Sequence, residues 1–98
     1  MVHLKRSLPH GSTWSAAGIG SAQLAMNTYA IKMGGHACVG LEDCIYHMRG
    51  ELATNEGMLA RIVRLNREFG REIVTPDKAR KILQISPSPP FLTTCFLR

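Results

Sequence analysis

The chain has 98 residues, 45% of them hydrophobic and 19% charged, with a net charge of +5 at pH 7. This is the length of one small domain, and the composition excludes an intrinsically disordered chain. The basic residues form no long run, and no apolar stretch reaches membrane-spanning length. The first basic residues, Lys5 and Arg6, are not followed by the apolar segment of a signal peptide. We therefore expect a cytoplasmic protein that binds neither nucleic acid nor a membrane.

The first half of the chain predicts a parallel strand–helix–strand unit. Residues 1–12 are interpreted as the remnant of a preceding helix and its loop, and residues 13–19 predict a short strand of small residues. From Ser21 the apolar period becomes helical, and Gly34 ends that helix. A second strand follows, so the two strands should be parallel with a right-handed crossover. The predicted buried stripe of the helix is Ala22, Met26, Tyr29, Ala30 and Met33.

The second strand, from His36 to Asp43, carries the strongest chemical signal. Side chains in a strand alternate between two faces. One face is apolar (Ala37, Val39, Leu41), and the other holds Cys38, Gly40 and Glu42. Glu42 and Asp43 are adjacent acids at the end of a buried strand and need a partner there. They are candidates for a metal ligand, a general base or the partner of a buried cation, and the alternative is helix capping or a salt bridge.

The second half predicts a connection followed by two helices. Residues 44–54 are too apolar to form a loose linker. A helix capped by Thr54 or Asn55 then ends at Gly70, and a shorter helix starts at Thr75-Pro76. The longer helix should bury Met58, Ile62, Leu65 and Phe69, with Leu59 and Val63 beside them, and expose Arg61, Arg64 and Arg67. Residues 86–98 predict an irregular, Pro-rich tail.

The predicted order β, α, β, α, α defines an α/β fold with too few strands for an independent parallel sheet. Two parallel strands alone leave unpaired edges on both sides. The chain is therefore expected to be part of a larger βα structure.

Three other features are candidate sites with simpler alternatives. Gly18, Gly20 and Ser21 lie where a strand leads into a helix, a geometry suited to anion binding or to a tight structural turn. Cys38 shares the face of Glu42 and is either a nucleophile or a buried inert thiol. The cysteines (Cys38, Cys44, Cys95) are expected to be reduced, and the histidines form no HxH or HxxxH pair, so any metal site is incomplete within this chain.

A series of motifs between Leu8 and Leu83 resembles the β-keto acid cleavage enzymes. The motifs are residues 13–20, Gln23-Leu24, Gly34-Gly35-His36, residues 39–43, residues 52–55, Gly70-Arg71-Glu72 and Thr75-Pro76. The resemblance implies that residues 13–85 are strands seven and eight, with their helices, of a TIM (β/α)8 barrel. The face bearing Cys38, Gly40 and Glu42 would then point into the barrel, with Glu42 at its carboxyl-terminal mouth.

The resemblance also implies a reaction and its cofactors. Family members convert a β-keto acid and acetyl-CoA into acetoacetate and a new acyl-CoA. Glu42 matches the carboxylate ligand of a catalytic zinc ion, and Asp43 matches an acid that works with an arginine. The other zinc ligands come from an HxH motif that this chain lacks.

Two positions depart from the family pattern. Cys38 stands where the family has the arginine, and Cys44 stands where it usually has asparagine. A thiol cannot balance the anionic groups of the site, so even a full-length barrel with these residues is expected to be a poor catalyst. The isolated chain, which lacks most of the active site, is expected to be inactive. The resemblance leaves open a homo-oligomer or pairing with a complementary barrel fragment, and the alternative function is a non-catalytic remnant or a small interaction module.

Overall fold

The computed structural model describes residues 1–86, and residues 87–98, which hold Cys95 and nearly all of the predicted tail, lie outside the described part. The helices are α1 (Val2–Arg6), α2 (Gln23–Lys32), α3 (Asn55–Glu68) and α4 (Pro76–Leu83). The strands are β1 (Ser15–Ala16), β2 (His36–Ala37), β3 (Tyr46–Met48) and β4 (Glu51–Leu52), and a 3-10 turn, Gly20–Ala22, leads into α2. The fold is thus a mixed α/β structure, and none of the helices in residues 1–86 could span a bilayer.

The strand–helix–strand unit is confirmed as parallel. Ser15 lies opposite His36 and Ala16 opposite Ala37, with α2 connecting the two strands. The N–H of His36 donates to the carbonyl of Trp14 at 2.9 Å, and the N–H of Cys38 donates to the carbonyl of Ala16 at 3.0 Å. Within residues 1–86 each strand has one neighbour, so each leaves one backbone edge without a partner strand.

β2 is shorter than expected: it ends at Ala37, and a turn covers residues 41–43. The backbone beyond Cys38 leaves the ladder because the carbonyl of Gly40 accepts hydrogen bonds from the N–H groups of Asp43 and Cys44, at 3.2 and 3.3 Å. The predicted alternation persists in part, since Val39 and Leu41 are half-buried while Cys38 and Glu42 are exposed. Gly40 departs from it because it is buried.

α2 buries a face that overlaps the predicted stripe only in part: Ala30 is buried as predicted, and Met26 and Met33 are half-buried. Its buried residues are Gln23, Asn27, Ala30 and Ile31, whereas Ala22 and Tyr29 are exposed. The polar Gln23 turns inward because its Nε2 donates to the carbonyl of Gly40 at 3.2 Å. Asn27 is fully buried, and neither polar atom of its side chain has a hydrogen-bond partner within the described residues. Nothing in residues 1–86 explains why this amide is buried without a hydrogen-bond partner.

α3 begins and ends as predicted. The Thr54 hydroxyl accepts from the N–H of Gly57 at 3.0 Å, a hydrogen bond typical of an N-cap, and Gly70 follows the helix with a φ of +69°. Met58 and Ile62 are buried as expected, but Phe69 and Leu59 are largely exposed because nothing in residues 1–86 covers that side.

The connection between β2 and α3 contains a hairpin that the sequence analysis did not predict. β3 and β4 are antiparallel, with Tyr46 opposite Leu52 and Met48 opposite Glu51. Arg49 and Gly50 form the loop, and Gly50 has a φ of +82°, which suits glycine. The hairpin also explains why Arg61 is not exposed as predicted. Arg61 is half-buried, and its Nη2 donates to the carbonyl of His47 in β3.

Two contacts hold the end of α2 against the rest of the chain. Gly35 lies against the Trp14 indole so closely that a Cβ would approach the ring to 2.6 Å. The Arg71 Nη1 donates to the carbonyls of Ile31 and Gly35, at 2.9 and 2.5 Å. Arg71 therefore ties the segment after α3 to the carboxyl end of α2, where a cation also complements the helix dipole.

Arg71→Ala is expected to lower the free energy of unfolding by about 2 kcal/mol, because two partly buried hydrogen bonds to a charged donor are lost. Urea unfolding followed by the fluorescence of Trp14, the single tryptophan, measures the change. The control is Arg67→Ala on the exposed side of α3, for which we expect a change within about 0.5 kcal/mol. Equal losses in the two variants would contradict this role for Arg71.

Candidate active site at the carboxyl ends of β1 and β2

The carboxyl ends of β1 and β2 meet at one edge of the molecule because the strands are parallel. The loop after β1 and the turn after β2 are joined there by a hydrogen bond from the N–H of Gly20 to the carbonyl of Asp43, at 2.8 Å. The residues singled out by the sequence analysis therefore lie in two connected loops at the same edge.

The Gly40 carbonyl is the anchor of the turn that bears the two acids. It accepts from the buried Gln23 side chain as well as from the N–H groups of Asp43 and Cys44. Glu42 folds back over this position, and a Cβ on residue 40 would overlap the Glu42 carboxylate. Glycine at position 40 thus lets the carboxylate lie directly over the turn.

Asn55 fixes the same turn from the other side. Its Oδ1 accepts from the N–H of Leu41 at 3.1 Å, while the preceding Thr54 caps α3. Two adjacent residues therefore have separate functions, one stabilising the helix start and the other orienting the turn next to Glu42.

Glu42 and Asp43 have no ion partner within residues 1–86. The Glu42 side chain is exposed and Asp43 is half-buried. The ion pairs of the described residues join Arg64 to Glu68, Lys78 to Glu72 and Arg80 to Asp77. The caps of α3 and α4 are threonine hydroxyls. The alternative of capping or a salt bridge is therefore not realised in the described part of the chain.

The described residues do not complete a metal site. No group of three or more His, Cys, Asp or Glu side chains in residues 1–86 could hold a metal ion. A catalytic zinc ion is held by about three protein ligands. Glu42 could supply one carboxylate oxygen, and the remaining ligands would have to come from elsewhere.

Cys38 is exposed, so the expectation of a buried thiol is wrong. Cys38 directly follows β2, and Glu42 in the turn beyond it is exposed as well. Cys44 is half-buried, and its thiol donates to the carbonyl of Tyr46 at 3.4 Å. Both thiols are free within the described residues.

The proposed anion-binding loop is mainly a structural turn. The N–H of Gly20 is bound to Asp43, and the N–H of Ala22 is bound to the carbonyl of Ile19 at 3.2 Å. Gly18 is crowded, since a Cβ there would lie 2.6 Å from the Ala22 carbonyl oxygen, and Gly20 has a φ of +59°. Both glycines are thus explained by backbone geometry, and Ser21 remains exposed beside them.

Sequence reasoning missed Gln23 and Asn55 as the residues that position the turn. A polar residue in the first turn of a predicted apolar helix face, and an asparagine directly after a threonine cap, were the available signals. The hairpin had only a weak signal, Gly50 at the loop, because of the strand residues 46–48 and 51–52 only Tyr46 is of a type that favours strands.

Asn55→Ala is expected to accelerate hydrogen exchange at the amide of Leu41 about fivefold, because that N–H loses its acceptor. Amide exchange measured residue by residue by NMR tests this. Asn55→Asp is the matched control, since a carboxylate still accepts and is favourable in the first turn of a helix. Equal acceleration in the two variants would show that Asn55 does not hold the turn.

Comparison of the sequence with known proteins matches it to one family. The family model described as BKACE, beta-keto acid cleavage enzyme, matches residues 1–85. A 3-keto-5-aminohexanoate cleavage enzyme of Fusobacterium nucleatum is 51% identical over 86 residues, covering 87% of this chain and 32% of the relative. An enzyme of the same name from Acetoanaerobium sticklandii is 42% identical over 87 residues, covering 88% and 32%.

A third relative carries a different substrate in its name. The 3-oxoadipate:acetyl-CoA acetyltransferase of Cupriavidus necator is 37% identical over 83 residues, covering 84% of this chain and 29% of the relative. The chain thus spans about a third of the length of the curated relatives it matches. The family match confirms the resemblance, and the chain belongs to the β-keto acid cleavage enzyme family.

Proposed function

We propose that residues 13–85 are the last two βα units of a (β/α)8 barrel, that residues 1–12 are the remnant of the preceding helix and loop, and that residues 86–98 are an irregular tail. Parallel β1 and β2, joined through α2 and followed by α3, support this because the unit repeats eight times in such a barrel. A full barrel needs about 250 residues, and this chain covers about a third of its relatives. The missing units would cover the unpaired strand edges.

The proposed reaction is the cleavage of a β-keto acid with acetyl-CoA in the cytoplasm. The bond between the keto carbon and the carboxymethyl carbon breaks, and the carboxymethyl group joins the acetyl carbon to give acetoacetate. The acyl group that remains takes the CoA sulfur. The printed names of the relatives support both partners, since they include a cleavage enzyme and an acetyl-CoA acetyltransferase.

One observation carries this proposal: two adjacent carboxylates lie at the carboxyl end of a parallel strand without an ion partner in residues 1–86. Active sites of (β/α)8 enzymes lie at this end of the strands. The turn that holds Glu42 and Asp43 is fixed by hydrogen bonds from Gln23 and to Asn55. Such anchoring places charged groups before substrate binds, which is what an electrostatic site requires.

We further propose that Glu42 is one ligand of a zinc ion and that Asp43 is the acid that pairs with the arginine of the family. When bound, zinc would polarise a substrate carbonyl. The other ligands would be the HxH histidines, which this chain does not contain. The described residues alone do not make up the site.

A second candidate function is a non-catalytic remnant or a small interaction module. The exposed Cys38 favours it, because a neutral thiol stands where the family has an arginine and leaves Asp43 without a cation. The unpaired edges of β1 and β2 also favour it, because such edges pair readily with another chain. Both candidate functions would apply to an incomplete barrel that binds a complementary fragment, because the chain would then be an interaction module that forms part of an enzyme.

The isolated chain is expected to form no acetoacetate from β-keto acids and acetyl-CoA in the presence of zinc. A chimera that joins this chain to the part of the Fusobacterium nucleatum relative that it does not match should show weak turnover. An enzymatic assay for acetoacetate compares the isolated chain with the chimera. Within the chimera, Glu42→Gln should lower kcat/KM at least about a hundredfold, with Glu51→Gln on the hairpin as the exposed control. Turnover by the isolated chain would contradict the proposal.

Cys38→Arg in the same chimera is expected to raise kcat/KM by about tenfold to a hundredfold. The substitution restores a guanidinium beside Asp43, and this cation can form two hydrogen bonds with a carboxylate. Cys38→Ala is the control and should change kcat/KM little, since one small neutral side chain replaces another. The enzymatic acetoacetate assay provides the comparison. If both substitutions have the same effect, the missing arginine is not what limits catalysis.

A further inference from the structure

A groove of about 630 Å³ lies between the start of α2 and the β3–β4 hairpin. It is distinct from the turn that bears Glu42 and Asp43, but it adjoins that turn, because Cys44 follows Asp43 in the chain and lines the groove. The volume is within the range of roughly 300–1,000 Å³ that is typical of sites for cofactor-sized ligands.

The groove is lined by two guanidinium groups and, among residues 1–86, by no carboxylate. Arg49 and Arg61 line it together with the His47 imidazole, and no aspartate or glutamate of the described residues does so. Arg49 and Arg61 also take part in none of the ion pairs of the described residues. Guanidinium groups that no carboxylate neutralises favour an anionic ligand, and their planar donors suit phosphate oxygens.

The two arginines are held differently. The Arg61 side chain is half-buried and donates to the carbonyl of His47, which fixes its guanidinium against the hairpin. Arg49 lies in the two-residue hairpin loop next to Gly50 and is exposed at the rim. One cation is thus preorganised at the wall of the groove, and the other is free to adjust to a ligand.

Apolar and aromatic surface lines the same groove. Leu24, Tyr46 and Met48 are 44%, 49% and 66% exposed, although such side chains are usually buried. A phenol ring and a thioether provide surfaces on which a planar heterocycle can pack. A groove with apolar surface and unpaired guanidinium groups matches a nucleotide, which has a planar base and phosphates.

We propose that this groove binds the phosphorylated adenosine end of acetyl-CoA, with Arg49 and Arg61 contacting phosphate oxygens and Tyr46 and Met48 contacting the adenine. The inference rests on the proposed function, which makes acetyl-CoA a substrate. Since Cys44 borders both regions, the nucleotide would lie beside the turn and the acyl end of the coenzyme would extend toward Glu42 and Asp43.

Isothermal titration calorimetry of the whole chain with adenosine 3′,5′-bisphosphate, coenzyme A and pantetheine tests the proposal. The bisphosphate and coenzyme A should bind with similar Kd values, and pantetheine, which lacks the nucleotide, should not bind. Arg49→Ala should weaken binding of the bisphosphate about tenfold, as expected for the loss of one charge-assisted contact. Arg64→Ala is the matched control, since that side chain lies on α3 and pairs with Glu68 at the surface.

A second measurement separates the failure of this inference from the failure of the proposed function. In the active chimera, Arg49→Ala should raise KM for acetyl-CoA about tenfold, a larger change than in KM for the β-keto acid. Turnover with an unchanged KM would overturn the groove assignment and leave the reaction standing. Binding of the bisphosphate that depends on Arg49, in a chimera without turnover, would support the groove and count against the reaction. Absence of binding by both the chain and the chimera would overturn the groove.

Discussion

The carbonyl of Gly40 determines how the rest of this structure is arranged. It accepts hydrogen bonds from the Gln23 side chain and from the N–H groups of Asp43 and Cys44. These bonds end β2, bury one side of α2 and turn the chain so that Glu42 lies over the turn. A buried carbonyl without these donors would be costly, by about 1–3 kcal/mol. The position of the acids and the packing of α2 therefore depend on the same acceptor.

The helix boundaries could be predicted because their causes are local. Thr54 and Thr75 each accept a hydrogen bond from an N–H three residues later, and Gly34 and Gly70 adopt the positive φ angles that end helices. The length of β2 and the buried face of α2 could not be predicted. Both depend on the contact between Gln23 and Gly40, which are 17 residues apart, and no periodic pattern reports such a contact.

The candidate site, too, could be predicted only where its causes are local in the sequence. Alternation along a strand placed Cys38 and Glu42 on one side, and both are exposed in the structure. The alternative of a buried inert thiol at Cys38 is wrong, because nothing in residues 1–86 covers that side chain. Asn55 was missed because its effect lies in a hydrogen bond to another segment, and the hairpin was missed because its strands are only 3 and 2 residues long. The assignment of Glu42 to zinc and of Asp43 to an arginine comes from the family and remains a prediction.

The small extent of the core has a consequence for how stability varies with temperature. In residues 1–86 the buried apolar residues are Ala16, Ala30, Ile31, Met58 and Ile62, whereas many larger ones, Ile19 and Leu52 among them, are largely exposed. The heat-capacity change of unfolding scales with the apolar surface that unfolding newly exposes. For residues 1–86 we therefore expect a small heat-capacity change and a shallow stability curve with a broad maximum. In the proposed barrel, further units that covered the exposed residues would increase the heat-capacity change and sharpen that curve.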